Sequence, residues 1–375
     1  MVESTKKTIH NFSAGPCVLP QEVLKKAQEE LLDWNGTGVS VMEMSHRGKS
    51  FVSIAEKAKE DLRKLLDIPD NFTIFFFQGG ASLQFSAVAM NLFGDEEGPK
   101  ANYLTTGTWT QGAIGEAKKY GNINEVANNK ELKYTTIAEP ADWKIEADAK
   151  YFHYCDNETI QGFEFNEFPH EKVPEGQVLV CDMSSNFCSK KIDWSKYGVV
   201  YAGAQKNVGP AGICITVVRN DLIGKERKDT PMLCNWGVFS KAANTFHNTP
   251  ACWPIYVCGL NIAHMLEKGG IQAMSDAREK RSQTLYKFID ESDGYYANTV
   301  VPKYRSRMNI PFRICSNDEL EAKFIKEAAE IGLIELKGHR SVGGCRASLY
   351  NAMTQEGVDA LVAFMGKFKA ENPKP

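Results

Sequence analysis

Apolar residues recur at helical spacing over residues 20–34, at Val23, Leu24, Ala27 and Leu31, and again over 51–66, at Phe51, Ile54, Ala55, Ala58, Leu62 and Leu65. That spacing gathers each set on one face, so both stretches are expected to be amphipathic helices. Beyond them come apolar runs too short for helices and rich in β-branched or aromatic residues, at 72–77, 151–154, 178–181, 199–202 and 213–218. Several are apolar without alternation, as strands covered on both faces are. Helical segments intervene at 83–93 and 109–120. This alternation predicts an α/β domain, its mostly parallel sheet covered by helices, up to about residue 265.

A long helical region follows at 253–268, stopped by Gly269-Gly270, and resumes at 271–292. A strand-like run at 310–315, a helix at 318–331, short runs at 333–336 and 346–350 and a final helix at 356–368 make a βαββα pattern. The expected division is therefore a large domain, 1–265, and a smaller C-terminal α+β domain, 266–375, with residues 1–15 a candidate to pack on the small one.

Charge narrows the partners. Forty-four Lys+Arg against 47 Asp+Glu give a formal net charge of −3, so no global basic surface is present for nucleic acid or anionic membrane. An anion must then be caught at a local site. No apolar run approaches the roughly 18 to 20 residues that cross a bilayer, and the first ten residues are polar, which predicts a cytoplasmic protein. Ten cysteines are scattered from Cys17 to Cys345 without a Cys-x-x-Cys pair, so free buried thiols are expected and no metal site.

Four segments carry candidate chemistry. Thr73 to Phe77 leads through Gln78-Gly79-Gly80 to Ala81-Ser82 at a helix start, where free backbone N–H groups converge on a phosphate seat. It lacks both the Gly-x-Gly-x-x-Gly and the Gly-Lys-Ser/Thr patterns of nucleotide sites. Thr108 followed by Gln111 fits a capping box and would set Trp109 on a first helical turn, either as a core anchor or as a stacking platform. An apolar strand ends in Asp182, where α/β folds place ligand groups. Lys206 stands among small and apolar residues, and a desolvated lysine amine has a depressed pKa suited to Schiff-base chemistry. Two basic loops, Ser45-His46-Arg47-Gly48-Lys49 and Lys337-Gly338-His339-Arg340 through Arg346, add local cations that suit a dianion plus a carboxylate.

A Schiff-base lysine, a ring-facing aspartate, an aromatic platform and a phosphate seat together suit pyridoxal 5'-phosphate. Asn11-Phe-Ser-Ala-Gly-Pro16, Ser45-His-Arg-Gly-Lys49, Asn157-Glu-Thr159, Tyr201-Ala-Gly-Ala-Gln-Lys-Asn207, Asn248-Thr-Pro250 and Gly338-His-Arg-Ser-Val-Gly-Gly344 with Arg346 resemble the phosphoserine aminotransferase family. The resemblance implies a fold-type-I homodimer with shared active sites that transaminates 3-phosphohydroxypyruvate with glutamate. It implies Lys206 as the Schiff-base residue, Asp182 facing the pyridine nitrogen, Trp109 stacking on the ring and Thr159 near its hydroxyl side. Ala81, Ser82 and Gln205 would hold the phosphate, with Asn248 and Thr249 reaching in from the partner. Arg340 is assigned to the substrate α-carboxylate, with His46, Arg47, His339 and Arg346 around its phosphate. Some relatives carry an arginine in the phosphate cup, whereas Gly79-Gly80-Ala81-Ser82 offers a hydroxyl and backbone amides. The alternatives are another enzyme of this fold, such as an alanine–glyoxylate aminotransferase or a cysteine desulfurase using Cys345, and a non-catalytic thiol-rich or metal-binding protein.

Overall fold

A seven-stranded sheet runs through the large body in the order Phe72–Phe77, Cys214–Arg219, Val199–Gly203, Val178–Asp182, Tyr151–Cys155, Lys100–Thr105, Asn122–Asn128. All neighbours are parallel except Cys214–Arg219, which is antiparallel to both of its own. These features come from a computed structural model that describes residues 8–374, so residues 1–7 of the N-terminal segment and Pro375 lie outside the described residues.

The sheet is sandwiched between two apolar layers. One packs Ile74, Phe76, Phe152 and Val200 against the helices Lys49–Leu66 and Cys252–Glu267, and the other packs Phe75, Tyr103 and Tyr201 against Gly80–Leu92 and Thr108–Ala117. Two strands lie outside the apolar runs. In Lys100–Thr105 the run is broken by Asn102, which is fully buried because Glu146 O and the Gln177 side chain accept from its amide. Asn122–Asn128 is an edge strand and stays polar. The helix expected over 20–34 stops early, as Gln21–Glu29. Asp33 Oδ1 accepts from Gly38 N at 2.6 Å, across a turn in which Asn35 and Gly36 hold positive φ angles.

The smaller body holds its own core around Ile310, Phe324, Leu361 and Phe368. Tyr296–Ala297, Asn309–Ile314 and Cys345–Ser348 form an antiparallel sheet. Leu333–Ile334 does not join it; it pairs in parallel with His10–Asn11, and the next residue, Phe12, is buried in the same core. The N-terminal segment then crosses to the large body, where Cys17 N donates to Gln205 O at 3.0 Å.

The long helix Gly270–Asp290 joins the two bodies, and it is pinned by a buried ion pair. Arg278 Nη1 lies 2.9 Å from Glu164 Oε1, with side chains 6% and 0% exposed, and Arg307 N donates to the second carboxylate oxygen at 2.7 Å. Removing one partner strands a charge in low dielectric. Arg278→Met should cost about 3–5 kcal/mol in denaturant unfolding, and adding Glu164→Gln should recover most of it. A loss under about 1 kcal/mol for the single variant would mean that Glu164 is neutralised by other groups.

Candidate active site

The carboxyl ends of the central strands open on a cleft of about 360 Å³. Strand Phe72–Phe77 runs into Gln78 and then into helix Gly80–Leu92, with Gly79 at φ 90° and Gly80 at φ 64°. Two successive left-handed residues turn the chain sharply enough to aim the helix start at the cleft, and glycine takes that conformation without strain. Ala81 and Ser82 on this first turn line the cleft. The unpaired amides and the positive helix end make it an anion seat.

Opposite it, strand Val199–Gly203 passes into the short helix Ala204–Asn207, which carries Gln205 and Lys206 into the cleft. Lys206 is 8% exposed, and its Nζ donates to Thr159 Oγ1 at 2.5 Å. Burial holds the amine below the usual lysine range, opposed chiefly by the negative charge of Asp182. Gly15, at φ 136°, lets the N-terminal segment lie against this side chain; a Cβ there would stand 3.2 Å from Lys206 Cγ. Asp182 ends strand Val178–Asp182 and accepts from Ser184 N at 2.8 Å. Burial pushes its carboxyl up, while the Ser184 hydrogen bonds and Lys206 pull it back.

Trp109 sits on the first turn of helix Thr108–Ala117 and lines the cleft, its ring centroid 5.1 Å from Lys206 Nζ. The expected capping box does not form. The N-cap is Gly107, and the first amides are met from elsewhere: Thr108 N donates to Gln161 Oε1, and Trp109 N and Thr110 N donate to the Glu158 carboxylate. Glu158 and Gln161 are thus functional neighbours that local spacing does not reveal.

The basic loops divide. His339 and Arg346 line the cleft, and Arg346 Nη1 donates to Thr159 O at 3.3 Å. Burial and the two arginines beside it hold the His339 imidazole below its usual range. Arg340 is exposed and does not line the cleft, so the guanidinium that reaches it is Arg346. Nor do His46, Arg47, Asn248 or Thr249 line it. His46 is buried with Nε2 unpartnered among the described residues, Arg47 and Thr249 are exposed, and Asn248 donates to Gln78 Oε1 at 3.4 Å on the far side of the glycine turn. Cys345 is fully buried in the core of the smaller body, where burial raises its thiol far above the reactive range. A desulfurase reading therefore loses its nucleophile.

One cleft thus brings together an anion seat, a buried carboxylate, a desolvated amine and an indole whose buried Nε1 has no partner among the described residues. This donor set fits pyridoxal phosphate: a dianion at the helix start, a pyridinium nitrogen for the acid, a carbonyl carbon for the amine and a planar ring against the indole.

Comparison with known proteins adds independent findings. The Aminotransferase class-V family matches over residues 9–361. The chain is 48% identical over 368 residues, 98% of its length and 86% of the relative's, to phosphoserine aminotransferase 2, chloroplastic, of Arabidopsis thaliana. Among solved structures it resembles phosphoserine aminotransferase from Bacillus circulans subsp. alkalophilus, with TM-score 0.93, 40% identity and coverage of 97% and 99% of the two chains. It also resembles the PLP-bound phosphoserine aminotransferase of Trichomonas vaginalis, with TM-score 0.90, 41% identity and coverage of 96% and 100%.

Proposed function

The chain belongs to the phosphoserine aminotransferases of the class-V aminotransferase family, and from that premise we propose the residues that carry the reaction. The enzyme is a pyridoxal-phosphate-dependent transaminase that uses glutamate to convert 3-phosphohydroxypyruvate to O-phospho-L-serine, releasing 2-oxoglutarate. When bound, the cofactor supplies an electron sink for the pair left behind by the departing α-proton.

The observation that carries the assignment is Lys206, an amine with lowered pKa held by Thr159 in the cleft and flanked by Asp182. Lys206 Nζ is the amine that would hold the cofactor through its carbonyl carbon, and the same group would carry the substrate α-proton. Asp182 would hold the pyridine nitrogen protonated, Trp109 would stack on the ring and Thr159 would lie near its hydroxyl side. The amides and hydroxyl at Ala81-Ser82, with Gln205 and the partner's Asn248 and Thr249, hold the cofactor phosphate.

Phosphoserine carries a carboxylate and a phosphate dianion, so it needs a bidentate fork and a separate cation cluster. Arg346 is the guanidinium inside the cleft and takes the α-carboxylate; this replaces Arg340, which joins His339 and the partner's His46 and Arg47 around the phosphate. A homodimer with shared sites follows from this assignment, because His46, Arg47, Asn248 and Thr249 do not line the cleft of their own chain. A cytoplasmic location agrees with there being no helix among the described residues long and apolar enough to cross a membrane.

The test compares phosphoserine with unphosphorylated serine as amino donor. Wild type should prefer phosphoserine by at least about 100-fold in kcat/KM, and Arg47→Ala should lower that ratio about tenfold, since only the phosphorylated substrate leaves a dianion unpaired. Equal use of the two amino acids by wild type would refute the substrate. An unchanged ratio in Arg47→Ala would refute that residue's placement.

A further inference from the structure

We propose that Glu158 is a positioning residue for the cofactor, fixing the helix start that carries Trp109 and hence the plane against which the pyridine ring stacks. This rests on the functional reading above. The carboxylate is fully buried and receives three hydrogen bonds: Trp109 N at 3.0 Å to one oxygen, with Thr110 N at 3.0 Å and Thr110 Oγ1 at 2.7 Å to the other. Gln161 meets the remaining first-turn groups, accepting from Thr108 N at 3.2 Å and donating to Thr108 Oγ1 at 2.7 Å.

An ordinary cap would be cheaper. Serine at position 107 would satisfy one of these amides from the helix's own chain without burying a charge. Gly107 stands there instead, and it must be small, because a Cβ would lie 2.4 Å from Glu158 Cδ. The residue next to Glu158 is Thr159, whose hydroxyl holds Lys206 Nζ. One dipeptide therefore grips the ring platform through Glu158 and the reactive amine through Thr159, and so sets their separation of 5.1 Å.

The segment is itself immobilised. Asn157–Glu158 pairs with Phe163–Glu164 in a short hairpin, and the Asn157 amide donates to Ser185 Oγ at 2.7 Å and Asn309 Oδ1 at 2.8 Å. The ionisable groups facing the Glu158 carboxylate are Asp182, Lys206, Cys155 and the Tyr134 hydroxyl. Burial raises the Glu158 carboxyl, opposed by the Thr110 and Trp109 hydrogen bonds, and in its charged form it favours the protonated Lys206 amine.

The experiment measures three quantities in the full chain: cofactor dissociation constant, the visible circular dichroism of the bound cofactor, and Tm of the cofactor-free protein. Glu158→Gln presents an amide NH2 to donors that need an acceptor, so at least one bond is lost. The expected result is a dissociation constant raised about tenfold and a weakened dichroic band. A cap with no role at the cofactor would lower Tm alone, and wild-type affinity and dichroism in Glu158→Gln would overturn the proposal. Should that variant not fold, Thr110→Val decides. It removes the hydroxyl that donates to Glu158 and also meets Thr106 Oγ1 at 3.3 Å, and should weaken cofactor binding about threefold with a smaller dichroic loss; wild-type values for both would overturn the proposal. If wild type itself bound no cofactor, the functional reading would fall first, a result distinct from variants that match a cofactor-binding wild type.

Discussion

Lys206→Ala should keep the fold and lose turnover by about 10⁴-fold or more, because in the proposed assignment the side chain is both nucleophile and proton carrier, and no second lysine among the described residues lines the cleft. Stability should not suffer in proportion. The substitution opens space beside Trp109 and frees the Thr159 hydroxyl, but it also removes an amine whose charged form is disfavoured by burial. The visible absorption that depends on the lysine link to the cofactor should disappear, while cofactor held by the phosphate seat and Trp109 can still be detected after denaturing the protein. Product formation over hours, with the spectrum recorded beside it, checks both statements. Turnover within tenfold of wild type would show that another group does the chemistry.

Asp182→Ala should lower kcat by about 10³-fold, the scale seen when one preorganised electrostatic partner is deleted from a dry site. Ion pairing is far stronger there than in water. The aspartate lies at a strand end, 4% exposed, fixed by Ser184, so its charge stays where it is put. Burial raises its carboxyl above the usual aspartate range, and protonation on acidification therefore begins at a higher pH than for a free carboxylate. The acid limb of cofactor binding by the cofactor-free protein should carry this group and should flatten in Asp182→Asn. Near-wild-type kcat in the alanine variant would remove Asp182 from the mechanism.

Much of this arrangement was legible in the chain. Strands covered on both faces advertise themselves as unbroken apolar runs, and Lys206 among alanines and glycines is conspicuous because lysine is rarely buried. What escaped local reading depends on distant contacts. Lys100–Thr105 is disguised by Asn102, whose partners are Glu146 and Gln177. The capping box at Thr108 was a sound local inference, defeated when Gln161, 53 positions away, took the Thr108 amide that the box would have filled and Glu158 took the next two. Arg340 and Arg346 look alike in a glycine-rich loop, but strand periodicity separates them: Cys345 and Ala347 point into the core, so Arg346 between them must face the other way.

The crossing taken by the N-terminal segment places the enzyme's two halves in mechanical series. Its strand belongs to the smaller body beside Leu333–Ile334, and a few residues later its backbone is bonded to Gln205 and Gly15 rests on the Lys206 side chain. Arg346 rides on the smaller body and Lys206 on the larger. Any displacement of the smaller body relative to the larger therefore acts on the backbone that ends against the lysine.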